Sequence, residues 1–257
     1  MSQSLLHIES VQLQIAQQRL CDSLSFTIAA NESWGLLGRN GAGKTTLLHT
    51  LLGLHKPASG TITIADQPLA QLSRRELAQQ VGILLQEGID SLPATVLETV
   101  MLGRHPHSQS LLSESKSDRE IVQAALQEFQ LTTMADRAIE SLSGGERQRL
   151  ALAMLITQAP SLYLLDEPSN HLDVAFQTRL LNTLQARIQQ QGAAMLMATH
   201  DINLAARYCD HIVLLLPEGK SIVGTSGEVL SEENLSMAYE CKIKSVSEGQ
   251  LTLYYPA

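Results

Sequence analysis

The chain has 257 residues, enough to bury a substantial hydrophobic core in one domain or two. Hydrophobic residues make up 44% of the sequence and charged residues 17%, a balance that excludes disordered and collagen-like classes. The formal net charge is −8 and the sequence contains no basic stripe, so nucleic acid is not expected as the main partner.

The first third of the sequence is typical of a strand-rich region with one glycine-rich loop. Alternating or β-branched apolar residues predict strands at 5–13, 23–28, 33–37, 60–64 and 81–85. The glycine-rich loop follows the strand at 33–37, and an amphipathic pattern predicts a helix over 44–54. Ser73 and Glu76 form a capping box, which predicts a short helix before the strand at 81–85.

The pattern becomes helical from about residue 92 to residue 158, where three further capping boxes each precede a helix-period segment. These boxes are Thr95 with Glu98, Ser117 with Glu120, and Ser143 with Glu146. Strands are predicted again at 161–165, 194–198 and 211–216, with a helix at 174–191 between the first two. Strand–helix alternation of this kind predicts a largely parallel sheet covered by helices.

The tail contains a turn at 217–220, a helix near 231–239 and a final hairpin that turns at 248–249. We therefore interpret residues 1–257 as one α/β domain. It contains an embedded helical subdomain at about 92–158 and a C-terminal helix and hairpin at about 225–257.

The glycine-rich loop matches G-x-x-x-x-G-K-[ST], the phosphate-binding P-loop. Its glycines let successive backbone N–H groups converge on phosphate oxygens, and the helix that follows adds its positive end. Lys44 is expected to reach the β- and γ-phosphates of ATP, and Thr45 to offer a hydroxyl to Mg²⁺ (magnesium). A chance match is the alternative, but the loop lies between an apolar strand and a helix, as the motif requires. The candidate nucleotide-binding residues are Gly38, Arg39, Asn40, Gly41, Ala42, Gly43, Lys44, Thr45 and Thr46.

Two acidic residues, Asp166 and Glu167, end the apolar strand at 161–165. A buried strand is expected to deliver Asp166 to the magnesium ion. Glu167 is expected to act on the attacking water, as a general base or as a positioning residue. An acidic turn after a strand is the structural alternative.

Ser143, Gly144 and Gly145 begin another predicted helix and form a second candidate anion site. Considered alone, these residues are only a capped helix start with two glycines. One chain rarely needs two such sites for one triphosphate, whereas two chains packed head to tail do.

With these motifs in order, the chain resembles an ABC transporter ATPase over nearly its whole length. The resemblance implies a P-loop NTPase fold with a mixed, largely parallel core sheet, an N-terminal antiparallel β part and the helical subdomain. Residues 142–149 resemble the family signature, which implies that Ser143, Gly144, Gly145 and Gln148 bind nucleotide in trans, in an ATP-dependent homodimer. Residues 169–173 resemble the D-loop.

The resemblance also assigns two lone polar residues. Gln86 lies at the Q-loop position, which implies contact with Mg²⁺ and the attacking water, and His200 resembles the switch histidine at the γ-phosphate. The catalytic set is then Lys44, Gln86, Glu167 and His200, and the metal ligands are Thr45, Gln86 and Asp166. A solvent-facing or internally satisfied loop residue is the alternative for each lone Gln or His.

A narrower resemblance involves residues 95–107, which are similar to a segment of ATPases that serve importers of iron–siderophore complexes, haem and cobalamin. It implies integral-membrane permease subunits, a periplasmic or extracellular substrate-binding protein, and a peripheral location on the cytoplasmic face of the membrane. A simple structural alternative is that Gly103 caps a helix and Pro106 stops it. A soluble ABC ATPase acting on DNA or ribosomes, and the ATPase of an exporter, are the alternative functions.

Two features of the sequence depart from the family pattern. No aromatic residue is present at 11–19 to stack on adenine, and Ile15 is the nearest apolar candidate. Met154 stands where an arginine is common.

The three scattered cysteines predict a reducing compartment, and neither a signal peptide nor an apolar run of about 20 residues is found in the sequence.

Overall fold

The computed structural model describes residues 4–15, 18–85, 93–108, 115–168, 174–249 and 251–257. The strands are β1 (Ser4–Ile15), β2 (Gln18–Ala29), β3 (Ser33–Leu37), β4 (Ser59–Ile64), β5 (Gln67–Pro68), β6 (Val81–Leu84), β7 (Leu162–Asp166), β8 (Ala194–Thr199), β9 (His211–Leu215), β10 (Ser221–Thr225), β11 (Ile243–Glu248) and β12 (Leu251–Pro256). The helices are α1 (Lys44–Leu51), α2 (Arg74–Gln80), α3 (Val96–Leu102), α4 (Lys116–Glu128), α5 (Gly144–Gln158), α6 (Val174–Gln191), α7 (Ile202–Tyr208), α8 (Ser226–Val229) and α9 (Glu232–Tyr239).

A six-stranded sheet with the order β10-β9-β3-β8-β7-β6 forms the centre of the fold. All neighbouring strands are parallel except β10, which pairs antiparallel with β9. Side chains alternate between two hydrophobic cores, as the pleat of a strand requires. In β7, Leu162 and Leu164 belong to one core, and Tyr163 and Leu165 belong to the other. The predicted α/β fold with a mixed, largely parallel core sheet is confirmed.

Each face of this sheet is covered by a different structure. On one face, α1 and the antiparallel sheet β2-β1-β4-β5 share a core. On the other face, α3, α4 and α5 pack against one another and share a core with α6 and α7. Within the described residues, no helix combines the length and apolar character that a bilayer-spanning segment needs.

Three of the four predicted capping boxes are present, at the starts of α2, α3 and α5. The fourth prediction was wrong. Helix α4 begins two residues earlier than predicted, with Ser115 rather than Ser117 as its N-cap. The reason is Asp118, which receives hydrogen bonds from the Ser115 hydroxyl at 2.6 Å and from Arg104 Nε at 2.7 Å. These bonds lower the pKa of Asp118 and hold the first turn of α4 in place.

Smaller differences concern the ends of elements. Helix α1 ends at Leu51, before Gly53, whose backbone has a φ of 64° and leaves the helix. Strand β2 begins at Gln18, earlier than predicted, because its residues from 18 onward pair with β1. Helix α7 and strand β10 were not predicted.

Candidate nucleotide site

Strand order explains how distant motifs meet. Strands β3, β8 and β7 are neighbours in the sheet and run parallel. The P-loop follows β3, His200 follows β8, and Asp166 and Glu167 come at the end of β7. The carboxyl ends of parallel strands lie at one edge of a sheet, which is the usual ligand-binding edge in α/β proteins. Three separate segments of the sequence therefore converge there.

The P-loop has a backbone that demands glycine where it enters α1. Gly43 has a φ of 101°, and a Cβ at this position would lie 2.9 Å from Leu20 Cβ. Leu20 is a buried residue of β2, so the antiparallel sheet packs directly against the loop. The first N–H groups of α1 have no acceptor within the helix, which makes this end a natural anion site.

Lys44 is the buried cation of the site, with 7% of its surface exposed. Its Nζ donates hydrogen bonds to the carbonyls of Gly38 at 2.9 Å and Arg39 at 3.3 Å, and lies 3.9 Å from Glu167 Oε1. Burial lowers the pKa of Lys44, and the nearby carboxylates of Glu167 and Asp166 oppose this effect. The ammonium group therefore lies at the centre of the loop. An incoming phosphate would replace the two carbonyls, which are weaker partners for a cation.

Asp166 and Thr45 form the pair that fits a magnesium ion. Thr45 Oγ1 donates to Asp166 Oδ2 at 2.8 Å, and Asp166 is 3% exposed. Among the described residues, Asp166 Oδ1 is buried without a hydrogen-bond partner. Burial raises the pKa of Asp166, and the hydrogen bond from Thr45 opposes the rise. An unsatisfied buried carboxylate oxygen beside a hydroxyl is a suitable donor set for Mg²⁺.

The described residues hold no group of three or more His, Cys, Asp or Glu side chains that would bind a metal unaided. Asp166 and Thr45 offer one carboxylate and one hydroxyl, and magnesium is commonly held by one or two carboxylates together with substrate phosphates.

Glu167 lies between Lys44 and His200. Its backbone has a φ of 49°, a left-handed conformation that is unusual for a residue with a side chain, and its N–H donates to Ala198 O at 2.9 Å. Its Oε2 atom lies 2.8 Å from His200 Nδ1. The carboxylate is 8% exposed, whereas the His200 side chain is 56% exposed. The pair thus has one buried member and one that faces the open side of the site.

The signature residues lie at the start of α5. The Ser143 hydroxyl accepts from Glu146 N, and Gln148 Nε2 donates to Pro168 O at 3.1 Å, just beyond Glu167. A Cβ at Gly144 or Gly145 would meet no described atom within 4 Å, and neither glycine has a positive φ. Nothing in the described part of this chain therefore requires glycine at these two positions.

Three predictions concern residues that the structure does not describe. Gln86 and the D-loop-like residues 169–173 lie outside the described residues. The side chain of Ile15, the candidate for adenine contact, also lies outside them.

A family model described as "ABC transporter" matches residues 21–170, which is more than half of the chain. The chain belongs to the ABC transporter family.

Individual relatives extend this result over most of the chain. "Probable siderophore transport system ATP-binding protein YusV" of Bacillus subtilis (strain 168) is 36% identical over 231 residues, covering 90% of this chain and 84% of that protein. "Ferric enterobactin transport ATP-binding protein FepC" of Escherichia coli (strain K12) is 33% identical over 232 residues, covering 90% and 85%. "Cobalamin import ATP-binding protein BtuD" of Halobacterium salinarum (strain ATCC 29341 / DSM 671 / R1) is 33% identical over 238 residues, covering 93% and 59%, so it is a longer protein.

Among solved structures, a metal-chelate type ABC transporter in an inward-facing conformation matches with a TM-score of 0.85 and 27% identity, covering 99% of this chain and 98% of that one. The predicted resemblance to ATP-binding subunits of siderophore and cobalamin importers is therefore confirmed, as is the prediction of a transport-coupled ATPase. Family membership implies that the chain binds ATP.

Three contacts around this ABC transporter site were not predicted from the sequence. Arg39 of the P-loop forms an ion pair with Glu240, directly after α9. The Tyr239 hydroxyl lies 3.5 Å from the carbonyl of His200. Leu20 packs on Gly43. Each contact joins positions that are far apart in the chain, so no local pattern indicated it.

The importer-like segment at 95–107 packs α3 against the end of α5. A Cβ at Gly103 would lie 2.2 Å from Thr157 Oγ1 and 2.3 Å from Met154 O. Arg104 donates to Thr157 O at 2.7 Å, and His107 Nε2 lies 2.8 Å from Gln158 O. Gly103 does follow the last residue of α3, but its φ is −58°, so the cap alone does not require glycine. Close helix packing does.

Proposed function

We propose that this chain is the ATP-hydrolysing subunit of a membrane importer for a metal chelate such as an iron–siderophore complex, haem or cobalamin. The observation that carries the catalytic part is the contact series from Lys44 through Glu167 to His200, with separations of 3.9 Å and 2.8 Å. The siderophore and cobalamin relatives and the metal-chelate transporter structure support the choice of importer.

Each catalytic residue has a role that follows from its surroundings. Lys44 binds the β- and γ-phosphates, because a buried cation at the N-terminus of α1 interacts strongly with a polyanion. Glu167 accepts a proton from the attacking water or orients it, and His200 holds the other side of that carboxylate. Thr45 and Asp166 would hold the magnesium ion, with Gln86 as a third ligand. When bound, this ion would neutralise negative charge on the phosphates.

We further propose that two copies of the chain act as an ATP-dependent homodimer, with Ser143, Gly144, Gly145 and Gln148 of each copy on the nucleotide of the other. The open space beside Gly144 and Gly145 supports this arrangement, because glycine is typical of places where a ligand or another backbone approaches closely. The capped start of α5 would present its free N–H groups to the phosphates.

The remaining partners follow from the importer proposal. The chain would sit on the cytoplasmic face of the membrane beneath integral-membrane permease subunits, in a complex that also engages a substrate-binding protein. It would act as one domain, and the helical part at about 92–158 would carry the permease contact. Exposed apolar side chains near this part support that assignment: Leu85, Leu97 and Leu102 are 46%, 36% and 47% exposed.

The test of the shared site is a mixture of two inactive variants. Lys44→Ala removes the phosphate-binding cation, and Gly145→Asp places a carboxylate in the signature. A mixed dimer retains one site that carries neither change. We expect the mixture to regain part of the ATPase activity that each variant lacks alone. Mixed dimers without activity would contradict the shared site, and identification of the co-purifying permease would test the importer.

Glu167→Gln tests the catalytic role separately. The amide keeps the shape of the side chain but cannot accept a proton from water. We expect a chain that binds ATP, hydrolyses it very slowly and accumulates as a dimer in gel filtration with ATP. Unchanged turnover would refute the role of Glu167.

A further inference from the structure

His200 is held from both sides along the chain. Strand β8 ends at Thr199, and α7 begins at Ile202, so the histidine lies in a two-residue junction. Asp201 fixes this junction, because its Oδ1 accepts from Leu204 N at 2.9 Å and its own N–H donates to Thr199 Oγ1 at 3.1 Å. Any shift of α7 would therefore be passed to the imidazole.

Asn203, on the first turn of α7, is tied to the last strand of the chain. Its Oδ1 accepts from Tyr254 N at 2.8 Å, and its Nδ2 donates to Tyr254 O at 3.1 Å. The side-chain amide thus pairs with β12 as a neighbouring strand would, using both a donor and an acceptor. Among the side chains of this length, only asparagine offers both, since aspartate has no donor when ionised.

The strand that Asn203 contacts is itself anchored. The Tyr254 hydroxyl donates to Leu230 O at 2.8 Å, and its ring packs against the hydrophobic core that contains α7. Ile202 and Tyr239 pack against the same core. A fixed strand therefore supports the start of α7.

We propose that Asn203 is a positioning residue, which holds His200 against Glu167 by tying α7 to the C-terminal strand β12. This inference rests on the proposed ATPase function. Asn203 does not touch the reacting atoms, and it acts through the orientation of α7 and hence of the imidazole. Loss of both hydrogen bonds is expected to lower kcat roughly ten- to a hundredfold, because small misplacements of catalytic groups have effects of this size.

The test compares Asn203→Ala and Asn203→Asp with matched changes at Asn234, each in the 257-residue chain. Asn234, in α9, is also half-buried, and its Nδ2 donates to the backbone carbonyl of Val229 at 3.0 Å. We expect the Asn203 variants to lose kcat while the KM for ATP stays unchanged. We expect the Asn234 variants to keep the wild-type kcat, with a similar change in melting temperature.

A second measurement separates positioning from general stability. In a His200→Ala background, Asn203→Ala is expected to cause no further loss of kcat, because its effect passes through the missing imidazole. Three outcomes would overturn the positioning role and leave the ATPase proposal standing. They are losses of kcat that multiply in the double variant, an equal loss of kcat in the Asn234 variants, and an unchanged kcat in the Asn203 variants. A wild-type chain without ATPase activity would instead overturn the proposed function and this inference with it.

Discussion

Replacing Gly103 with alanine is expected to destabilise the protein by about 2–3 kcal/mol, in the upper part of the range for overpacking. The added methyl group would lie 2.2 Å from Thr157 Oγ1 and 2.3 Å from Met154 O. Neither atom can yield easily, because one is backbone and the other belongs to a fully buried residue that donates to Val100 O at 3.0 Å. Helices α3 and α5 would have to move apart. At about 2–4 °C per kcal/mol, the melting temperature should fall by roughly 4–12 °C.

The assay is thermal and chemical unfolding of the wild type, Gly103→Ala and the control Gly227→Ala. A Cβ at Gly227, in α8, would meet no described atom within 4 Å, and this glycine has no positive φ, so its variant should be at least as stable as the wild type. Adding Thr157→Ala to Gly103→Ala should recover only part of the loss, since the Met154 carbonyl remains. A Gly103→Ala protein as stable as the Gly227→Ala protein would refute the packing argument.

Three further predictions concern the nucleotide site. Lys44→Ala should abolish ATP binding in a titration while the fold is retained, and a normal hydrolysis rate in the folded variant would contradict the P-loop assignment. Asp166→Asn should abolish magnesium-dependent hydrolysis; because the pKa of Asp166 is raised, protons should compete with magnesium increasingly as pH falls from 7 towards that pKa, and a wild-type magnesium requirement that is independent of pH would argue against this ligand. Ile15→Tyr should tighten ATP binding by up to about tenfold through stacking, and GTP should compete with ATP in the wild type better than it does in relatives that carry the aromatic residue. Unchanged ATP affinity in the variant, together with a strong preference of the wild type for ATP over GTP, would mean that another residue holds the base.

The core of the site could be predicted from sequence because each part is locally encoded. Lys44 and Thr45 belong to one contiguous motif, and Asp166 and Glu167 follow directly on a buried apolar strand. Sequence spacing alone does not say that β8 lies between β3 and β7, and that order is what brings His200 to Glu167. The placement of His200 at the site entered the prediction through family resemblance rather than through the strand pattern.

What the sequence could not indicate depends on competition or on distance along the chain. Ser115 and Ser117 each have an acidic residue three positions later, but the capping-box pattern has Glu or Gln there and so favoured Ser117 with Glu120. Arg104, from a different segment, decided the choice by binding Asp118. Helix α7 did carry a local signal, the N-cap Asp201, but its seven residues are too few to give a clear period.

Most polar groups of the nucleotide site have partners within the chain. Lys44 is bound by carbonyls of its own loop, Thr45 satisfies one oxygen of Asp166, and Glu167 has a cation on one side and His200 on the other. The exception is Asp166 Oδ1, which has no partner among the described residues and whose carboxyl group has a raised pKa because of burial. A buried acceptor left in this state opposes stability by about 1–3 kcal/mol. Binding of a cation there would remove that cost, and a phosphate would replace the carbonyls at Lys44. We therefore expect cation binding at Asp166 Oδ1 to contribute to the free energy of ATP binding.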